Sequence, residues 1–237
     1  MDYGTRVAKL FPETRWSLVM SAKNGGADTA SKALESLAVA YWRPIYTWIR
    51  GQGRSHEQAQ DDTQGFFAYL LSREFLGNVQ PEGGRFRNFL LVALRRWMKD
   101  ERHRVINVKR RAEVEFQEWD EPQATVGFAT SSSPEDAFDR AWAHAIVGRA
   151  MKSLAVQWRN RSDLYASLRL TVESPGNLEK YGVIAARLGM SEGAVAKAAF
   201  DLRQQFAERI RKEIRETVAR EEDVKEELRH LVRLMRS

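Results

Sequence analysis

The residues with the clearest chemical potential lie in the segment SHEQAQDDTQGFFAYLL, residues 55–71. Its apolar residues have the spacing of a buried helix, but its polar positions hold aspartate, glutamine and threonine, where a structural helix often pairs Glu with Lys. Thr63 stands between Asp62 and Gln64, and we expect it on the outward face. Its hydroxyl can hydrogen-bond to the carbonyl four residues earlier, or it can accept a phosphate.

A second polar segment, GGRFRNFLLVALRRWMKDERHR at residues 83–104, is strongly basic. Arg and Lys neutralise backbone phosphates, while aromatic faces can stack on unpaired bases. The alternative is a solvated basic face, and we expect most of the aromatic residues to lie in a core. The pattern favours nucleic-acid binding. The basic residues are Arg85, Arg87, Arg95, Arg96, Lys99, Arg102 and Arg104.

The segment EKYGVIAARLGMSEGAVAKAAFDLRQQF, residues 179–206, predicts two helices joined by a short turn. Gly189 suits the turn because a left-handed backbone is easy only without a side chain, and Ser191 is placed to cap the second helix. This is the helix-turn-helix pattern, whose second helix can lie in the major groove of DNA. An ordinary helical hairpin is the alternative. The exposed candidates for DNA contact are Glu192, Lys197, Asp201, Arg203 and Gln204.

Residues suited to catalysis or metal binding are sparse. The spacing of His56 from Asp61 or Asp62 matches no known ligand signature, and the sequence contains no glycine-rich phosphate loop. The histidines, which fall in separate predicted helices, are His56, His103, His144 and His230. We therefore predict no metal, no cofactor, no small-molecule substrate and no enzymatic activity.

Composition limits the class of protein and its partners. The 237 residues carry a net charge of +6, which favours a polyanionic partner such as nucleic acid. The absence of cysteine excludes disulfides, thiolate zinc sites and cysteine nucleophiles, and it fits a reducing cytoplasm. Neither a signal peptide nor a membrane-spanning run is recognisable. We therefore expect a soluble, cytoplasmic protein with no membrane partner.

The elements that must position these residues are predicted to be helices, because apolar residues recur at three- and four-residue steps. Ser55 and Ser133 are expected caps, with Gln58 completing a capping box and Pro134 in the first helical position. Pro44 is expected to bend or split its helix. The predicted helices of the N-terminal half are 14–23, 29–51, 55–73 and 86–104.

The sequence also predicts how the chain is divided into domains. Residues 107–134 lack a sustained period, hold a serine run and two prolines, and predict a linker. The expected parts are an N-terminal domain over 1–106, a second helical domain over 135–219 and an amphipathic C-terminal helix over 220–237.

The order of these motifs resembles that of a bacterial extracytoplasmic-function (ECF) sigma factor of the sigma-70 family. The resemblance lies in a D-x-x-Q helix followed by an aromatic pair, a G-x-F-R basic helix, a linker and a terminal helix-turn-helix. It covers residues 30–105 as sigma domain two and 135–215 as sigma domain four. FPETRWSLV near the start and EELRHLVRLM at the end resemble a subgroup associated with Ser/Thr protein kinases.

The resemblance implies an all-α protein of two helical domains joined by a flexible linker, plus a C-terminal helix. Such a protein recruits core RNA polymerase to specific promoters and initiates transcription as an alternative sigma factor. Its expected partners are the polymerase, promoter DNA and a Ser/Thr protein kinase.

The resemblance further implies that the helix around Thr63 docks on a basic coiled coil of the largest polymerase subunit. Family members carry carboxylates where this chain has Gln58, Gln60 and Gly65, so the attraction is weaker here. Phosphorylation of Thr63 adds about −1.5 to −2 charges and would restore it without a gain in folding. A threonine that only hydrogen-bonds to its own helix is the alternative. The residues implied in polymerase binding are Gln58, Gln60, Asp61, Asp62, Gln64 and Phe67.

Two sets of promoter contacts are also implied by the resemblance. The downstream set is Arg85, Arg87, Asn88, Arg95, Arg96, Trp97 and Lys99. The upstream set, on the recognition helix, is Ser191, Glu192, Lys197, Arg203 and Gln204. Arg96 departs from a frequent Asn, Ala198 from a basic residue, and Asp201 from a basic residue or histidine, so base preference is expected to be altered.

Two other functions are compatible with the same sequence. One is a helix-turn-helix DNA-binding regulator that acts independently of polymerase, and it predicts duplex binding without a polymerase complex. The other is a helical, phospho-regulated adaptor with Thr63 as its docking site. For an adaptor, replacing Lys197 and Arg203 would leave the function intact.

Overall fold

The computed structural model describes residues 15–24, 27–70, 72, 75, 85–112, 133–173 and 179–236. Nearly all of these residues are helical, so the expected all-α class is confirmed for them. The helices are α1 Arg15–Asn24, α2 Ala27–Gly51, α3 His56–Leu70, α4 Phe86–Ala112, α5 Pro134–Gln157, α6 Ser162–Leu168, α7 Leu170–Glu173, α8 Tyr181–Leu188, α9 Glu192–Arg215 and α10 Asp223–Arg236. Extended pairing in the described ranges is confined to one antiparallel bridge between Arg85 and Val218.

The contacts of the chain divide it into two units. Unit 1 comprises residues 1–145 and 216–237, and unit 2 comprises residues 146–215. This division falls inside α5, whose first half lies in unit 1 and whose second half lies in unit 2, and the expected domain bounds of 1–106 and 135–219 stay a prediction. α10, expected as a separate extension, belongs to unit 1.

The predicted linker is only partly within the described residues. Residues 107–112, where the linker was expected to begin, continue α4. Residues 113–132 lie outside the described ranges, as does Thr14, the expected start of the first helix.

The core of unit 1 is built from apolar faces of α1, α2, α3 and α4. α2 packs against both α1 and α3, and α3 contacts α4. Trp16 meets Phe86 edge-on with ring centroids 5.2 Å apart, and Trp42 stacks on Phe67 at 5.9 Å. Each large side chain buried in this way contributes about 1.5–3 kcal/mol. The packing therefore fixes the faces that α3 and α4 can present to solvent.

Pro44 does not split α2, which continues from Ala27 to Gly51. A proline inside a helix costs about 3 kcal/mol because it removes one hydrogen bond and crowds the preceding turn. Pro44 is itself buried, and its neighbours Tyr41, Ile45 and Trp48 are almost fully buried. Their combined burial outweighs that cost, so the helix is retained.

Both predicted helix starts are confirmed. The Ser55 N–H donates to Gln58 Oε1 at 3.0 Å, and the Gln58 N–H donates to Ser55 Oγ at 3.2 Å, which is a reciprocal capping box. At the start of α5, the Asp136 N–H donates to Ser133 Oγ at 3.1 Å, with Pro134 in the first helical position. α3 ends at Leu70 rather than near residue 73.

Unit 2 is a compact helical core around the second half of α5 and α6 to α9. α9 contacts α6, α7 and α8, and α6 also contacts α8. Buried apolar residues of α5, α6, α8 and α9 meet in this core, and Trp158 donates its indole N–H to Gln205 Oε1 at 2.8 Å. The core members are Leu154, Trp158, Leu164, Leu168, Ile184, Ala185, Val195, Ala198, Ala199 and Leu202.

Candidate nucleic-acid and protein interfaces

α3 carries Thr63 on its buried face. The side chain is 0% exposed, and its hydroxyl donates to the Ala59 carbonyl at 2.5 Å. The expected outward placement of Thr63 is therefore wrong, and the alternative, a hydrogen bond to the carbonyl four residues earlier, is confirmed. The sequence held the signal, because Thr63 follows Ala59 by four residues and precedes Phe66, Phe67 and Leu70 on one helical stripe.

The outer face of α3 presents amides and few charges. Gln58, Gln60, Asp61 and Gln64 are exposed, as the resemblance requires of polymerase-binding residues. Glu57, which sequence reasoning missed, adds a second exposed carboxylate one turn before Asp61. The result is a surface rich in hydrogen-bonding groups but only weakly acidic.

Two of the expected polymerase contacts are not available on that surface. Phe67 is 4% exposed and stacks on Trp42, so it belongs to the core. Asp62 is ion-paired with Arg54, with 2.9 Å between Oδ2 and Nε. Burial raises the pKa of the Asp62 carboxyl above its ordinary value, and the charge of Arg54 opposes this only in part. Asp62 therefore adds little negative charge to the surface.

Gly65 allows α3 to lie close to α4. A Cβ atom placed there would be 3.0 Å from Cζ2 and 3.3 Å from Cη2 of Trp97. Trp97 is 9% exposed and packs against Phe66 with ring centroids 5.8 Å apart. A carboxylate side chain at residue 65 would have to displace this indole. The missing acid at this position therefore has a packing cause, and Trp97, expected to contact DNA, is a core residue.

Arg87 of α4 is buried and not available to DNA in this conformation. It is 4% exposed, and its Nε donates to Glu227 Oε1 at 2.6 Å, while Nη1 donates to Asp139 Oδ1 at 2.8 Å. Its guanidinium also lies 5.2 Å from the centre of the Trp142 ring. Burial by itself lowers the pKa of Arg87, but the hydrogen bonds and charges of Glu227 and Asp139 outweigh it and raise the pKa.

Arg85, which directly precedes α4, and Arg95 of α4 are also ion-paired. Arg85 contacts Glu226 Oε1 through Nη2 at 2.5 Å and Glu227 Oε2 through Nε at 3.0 Å. Arg95 donates to Glu135 Oε1 from Nη2 at 2.7 Å, and this hydrogen bond lowers the pKa of Glu135. Three of the four arginines of the expected downstream set are thus neutralised by carboxylates.

The rest of the expected downstream set remains on the surface. Asn88, Arg96 and Lys99 are exposed on α4. A shallow groove on unit 1 runs beside Trp48 and Gln52 and is bordered by Lys99. Asn88, Arg96 and Lys99 can therefore meet a phosphate backbone without a rearrangement of α4.

The carboxylates that cover α4 were not found by sequence reasoning. Glu227 is separated from Arg87 by 140 residues and Asp139 by 52, so no local period connects them. His230 completes the cluster, with its Nε2 3.0 Å from Asp139 Oδ2. The one available signal was the pair of acids at 226–227 in an otherwise amphipathic terminal helix.

The helix-turn-helix predicted in unit 2 has the expected local geometry. Gly189 ends α8 in the left-handed conformation, with φ 63°, and its N–H donates to the Ala185 carbonyl. The Ala194 N–H donates to Ser191 Oγ at 3.3 Å, so Ser191 caps α9 as predicted. Val195, Ala199 and Leu202 of α9 face the core.

The first turns of α9 expose most of the expected upstream set. Ser191, Glu192, Lys197 and Gln204 are exposed. The Lys197 side chain is 78% exposed, although its Nζ lies 3.6 Å from Asp201 Oδ2. Arg203 is partly buried and donates to the Tyr181 hydroxyl at 3.1 Å. Ala198 is 6% exposed and packs in the core.

Within the described ranges there is no group of three or more His, Asp or Glu residues that could hold a metal ion. Nor do these ranges contain a helix with the length and apolarity needed to cross a membrane. No protein-family model matches the sequence, and no curated protein matches it either. The surfaces of α3, α4 and α9 therefore carry the available information about function.

Proposed function

We propose that this chain is a bacterial sigma factor of the ECF kind, with two sigma domains joined by a linker, which directs core RNA polymerase to a limited set of promoters. The observation that carries the proposal is the helix-turn-helix of unit 2, with a left-handed Gly189, a Ser191 cap and an exposed start of α9. In this arrangement the second helix is free to enter the major groove of duplex DNA. Lys197 and Gln204 are the side chains best placed for contact with phosphate and base edges.

The polymerase-binding part of the proposal is supported by the outer face of α3. Asp61 and Glu57 supply exposed carboxylates one turn apart, and Gln58, Gln60 and Gln64 surround them with amides. Complementary charge sets the rate and specificity of such an encounter. A face with two carboxylates can attract a basic coiled coil, and its attraction should respond strongly to each added or removed charge.

Phosphorylation of Thr63 stays a prediction, and the burial of the hydroxyl changes what it requires. A kinase must reach an oxygen that is 0% exposed, so α3 has to open locally before transfer. The phosphate then cannot return to an apolar core, because burying an unpaired charge is far more costly than exposing Phe66 and Phe67. The modification would act by reshaping α3, and the expectation of a charge effect without a folding effect does not hold for this conformation.

Binding to purified core RNA polymerase tests the proposal most directly. We expect Gln60→Glu to bind more tightly than the unmodified chain, because it returns a carboxylate to an exposed position of α3. Asp61→Lys should bind more weakly. Asn160→Asp and Asp28→Lys carry the same changes of charge at exposed positions outside α3 and should leave the affinity unaltered.

The phosphorylation switch is tested in the same assay. Unmodified protein, kinase-treated protein and kinase-treated Thr63→Ala are compared, with circular dichroism recorded for each. Tight binding by the phosphorylated form alone supports a switch, and a loss of helix signal that accompanies it supports the reshaping of α3. Equal binding of core polymerase by all three proteins would rule out the phosphorylation switch but would leave the sigma factor proposal intact.

A DNA-binding regulator that acts without polymerase is the second candidate. It is favoured by the contrast between a well-formed helix-turn-helix and an α3 face that holds amides at Gln58 and Gln60. Selection of duplexes by the full chain, with and without core polymerase, separates the two. Sequence-specific binding without polymerase, together with no polymerase complex, would establish the regulator. If Lys197→Ala and Arg203→Ala left the biological activity of the protein intact, DNA contact by α9 would not be needed. The adaptor would then replace both the sigma factor and the regulator as the proposed function.

A further inference from the structure

The arginines at the start of α4 are covered by carboxylates from α10. Arg85 contacts Glu226 and Glu227, and Arg87 contacts Glu227 through both Nε and Nη2, at 2.6 and 3.3 Å. Glu227 is 0% exposed. A backbone contact lies alongside, where the Phe86 N–H donates to the Thr217 carbonyl at 2.9 Å. The N-terminal half of α10 therefore lies directly on the basic start of α4.

The chemistry of this contact is that of a phosphate site. Guanidinium groups bind carboxylate and phosphate in the same forked geometry, with two parallel N–H donors on two oxygens. Arg87 offers such a fork to Glu227 and uses Nη1 on both oxygens of Asp139, at 2.8 and 3.0 Å. The Glu227 carboxylate therefore occupies the position that an anionic oxygen of a nucleic-acid backbone would take.

The attachment of α10 combines apolar and ionic contacts. Val224 and Leu231 are its buried apolar anchors, with Leu228 and Leu234 half-buried beside them, while Glu227 is its buried carboxylate. Val232 and Met235 remain 47% and 42% exposed. The ionic part of the attachment is open to competition from a polyanion, because the polyanion supplies the same ionic contacts to the arginines. Glu226 is 62% exposed by its side chain, so this competition can begin at the surface.

We propose that α10 is an internal acidic cover, and that Arg85 and Arg87 form a phosphate-binding site which the cover occupies until nucleic acid displaces it. The inference rests on the proposed function to the extent that the displacing ligand is promoter DNA. The cover closes Arg85 and Arg87 in the free chain, while Asn88, Arg96 and Lys99 of α4 stay exposed. Nucleic-acid binding and release of α10 are then coupled, and each favours the other.

The first test detaches the cover without touching the arginines. Leu231→Glu places a charge on a buried anchor of α10, and Val232→Glu places the same charge on the exposed neighbour. Binding to heparin and to a DNA duplex is measured between about 50 and 200 mM salt. For the duplex, each phosphate contact contributes about 0.9 to the magnitude of the slope of log K against log salt. We expect Leu231→Glu to bind both ligands more tightly than Val232→Glu, and its slope for the duplex to be steeper by up to about 1.8, since Arg85 loses both of its carboxylates and Arg87 loses Glu227 but keeps Asp139.

The second test needs no variant and covers the case in which Leu231→Glu does not fold. Amide hydrogen exchange of the unaltered chain is followed with and without saturating heparin. The amides of α10 should exchange faster in the bound state, while those of α9 should be unchanged or protected. Unchanged protection of α10 in the bound state, or equal affinity and slope for the two variants, would show that the cluster is a permanent joint and overturn the inference.

The two probes also separate this inference from the proposed function. Heparin carries no promoter sequence, so release of α10 by heparin tests the cover alone. If heparin releases α10 but no form of the protein binds core polymerase, the sigma factor proposal fails and the cover remains. If polymerase binds and neither heparin nor DNA moves α10, the cover fails and the sigma factor remains.

Discussion

α4 of unit 1 and α9 of unit 2 are both amphipathic helices with arginine and lysine outside their apolar stripes, yet the two sets of cations have different fates. Arg87 on α4 is 4% exposed and fully engaged with Glu227 and Asp139. The Lys197 side chain on α9 is 78% exposed and meets only Asp201, four residues away on the same helix. A cation counted in the sequence is therefore not the same as a cation available to a ligand.

The physical difference lies in where the partner carboxylates come from. On α9 the partner is local and exposed, so water screens the pair and the contribution to stability is small. On α4 the partners arrive from α5 and α10 and bury the charges together, so each becomes indispensable to the others. In this conformation α9 leaves its cations exposed to a ligand, whereas α4 has some of its cations covered by carboxylates of α5 and α10.

The largest effect is expected from breaking the buried cluster. Arg87→Met removes the buried cation that joins Glu227 to Asp139, leaving Glu227 with Arg85 alone, and the expected loss is about 3–5 kcal/mol in the free energy of unfolding. Urea titration of the full chain, followed by circular dichroism, measures it. Arg96→Met on the same helix and Lys197→Met on α9 should each stay within about 0.5 kcal/mol. A similar, small loss in all three variants would contradict the contrast between the helices.

The same contrast between a buried and an exposed position can be drawn on α3. Thr63→Glu introduces a carboxylate where the side chain is fully buried, and we expect a loss of roughly 3 kcal/mol. Gln64→Glu, one residue later and exposed, should change the unfolding free energy by less than about 0.5 kcal/mol. Thr63→Val keeps the shape and removes one hydrogen bond, so about 1 kcal/mol or less is expected. Equal urea midpoints for the two Glu variants would place Thr63 at the surface after all.

Unit 2 is tested through the turn that positions α9. Gly189→Ala puts a side chain at φ 63°, which costs roughly 1–2 kcal/mol. Gly148→Ala lies inside α5, where an added Cβ meets nothing within 4 Å, and it should stabilise by up to about 1 kcal/mol. Thermal unfolding of the two variants should therefore shift in opposite directions. A shift in the same direction would mean that Gly189 does not hold a left-handed turn.

The smallest effect is a pH dependence at the cluster of unit 1. Burial and the charge of Arg87 lower the pKa of His230, despite the opposing carboxylates of Asp139 and Glu227. Just below the ordinary histidine pKa of about 6.5, the unfolded chain therefore binds more protons at this residue than the folded chain, and stability falls as pH is lowered. His230→Gln should lose less stability than the unaltered chain between about pH 7.5 and 5.5 in urea titrations. An equal loss of stability in the variant and the unaltered chain would show that His230 does not cause the pH dependence.

Much of the local structure could be predicted from the sequence. The all-helical class followed from apolar spacing, and the Ser55 and Ser133 caps followed from side chains that bond within three residues of their own position. The turn at Gly189 followed in the same way from the conformational freedom of one residue. Each of these features depends on interactions along a short stretch of chain, and a short stretch is what a sequence displays directly.

The candidate sites were predicted less well, and the failures share a cause. The polar neighbours of Thr63 predict an outward side chain, but its position on the same helical stripe as Ala59 and Phe66 buries it. Trp97 and Phe67 were read as contacts for partners, although packing against Phe66 and Trp42 holds them in the core. Polarity alone does not decide the face of a helix, because a hydroxyl that bonds to its own backbone can be buried at little cost.

The sequence by itself determined the helices, their caps, the turn of the helix-turn-helix and the excess of positive charge. Only the tertiary structure decided which of those charges remain exposed. Glu227 and Asp139 reach Arg87 from helices 140 and 52 residues away, and no periodicity within α4 encodes that meeting. Local propensities act over a few residues, whereas the desolvation that makes a buried ion pair possible depends on every element packed around it.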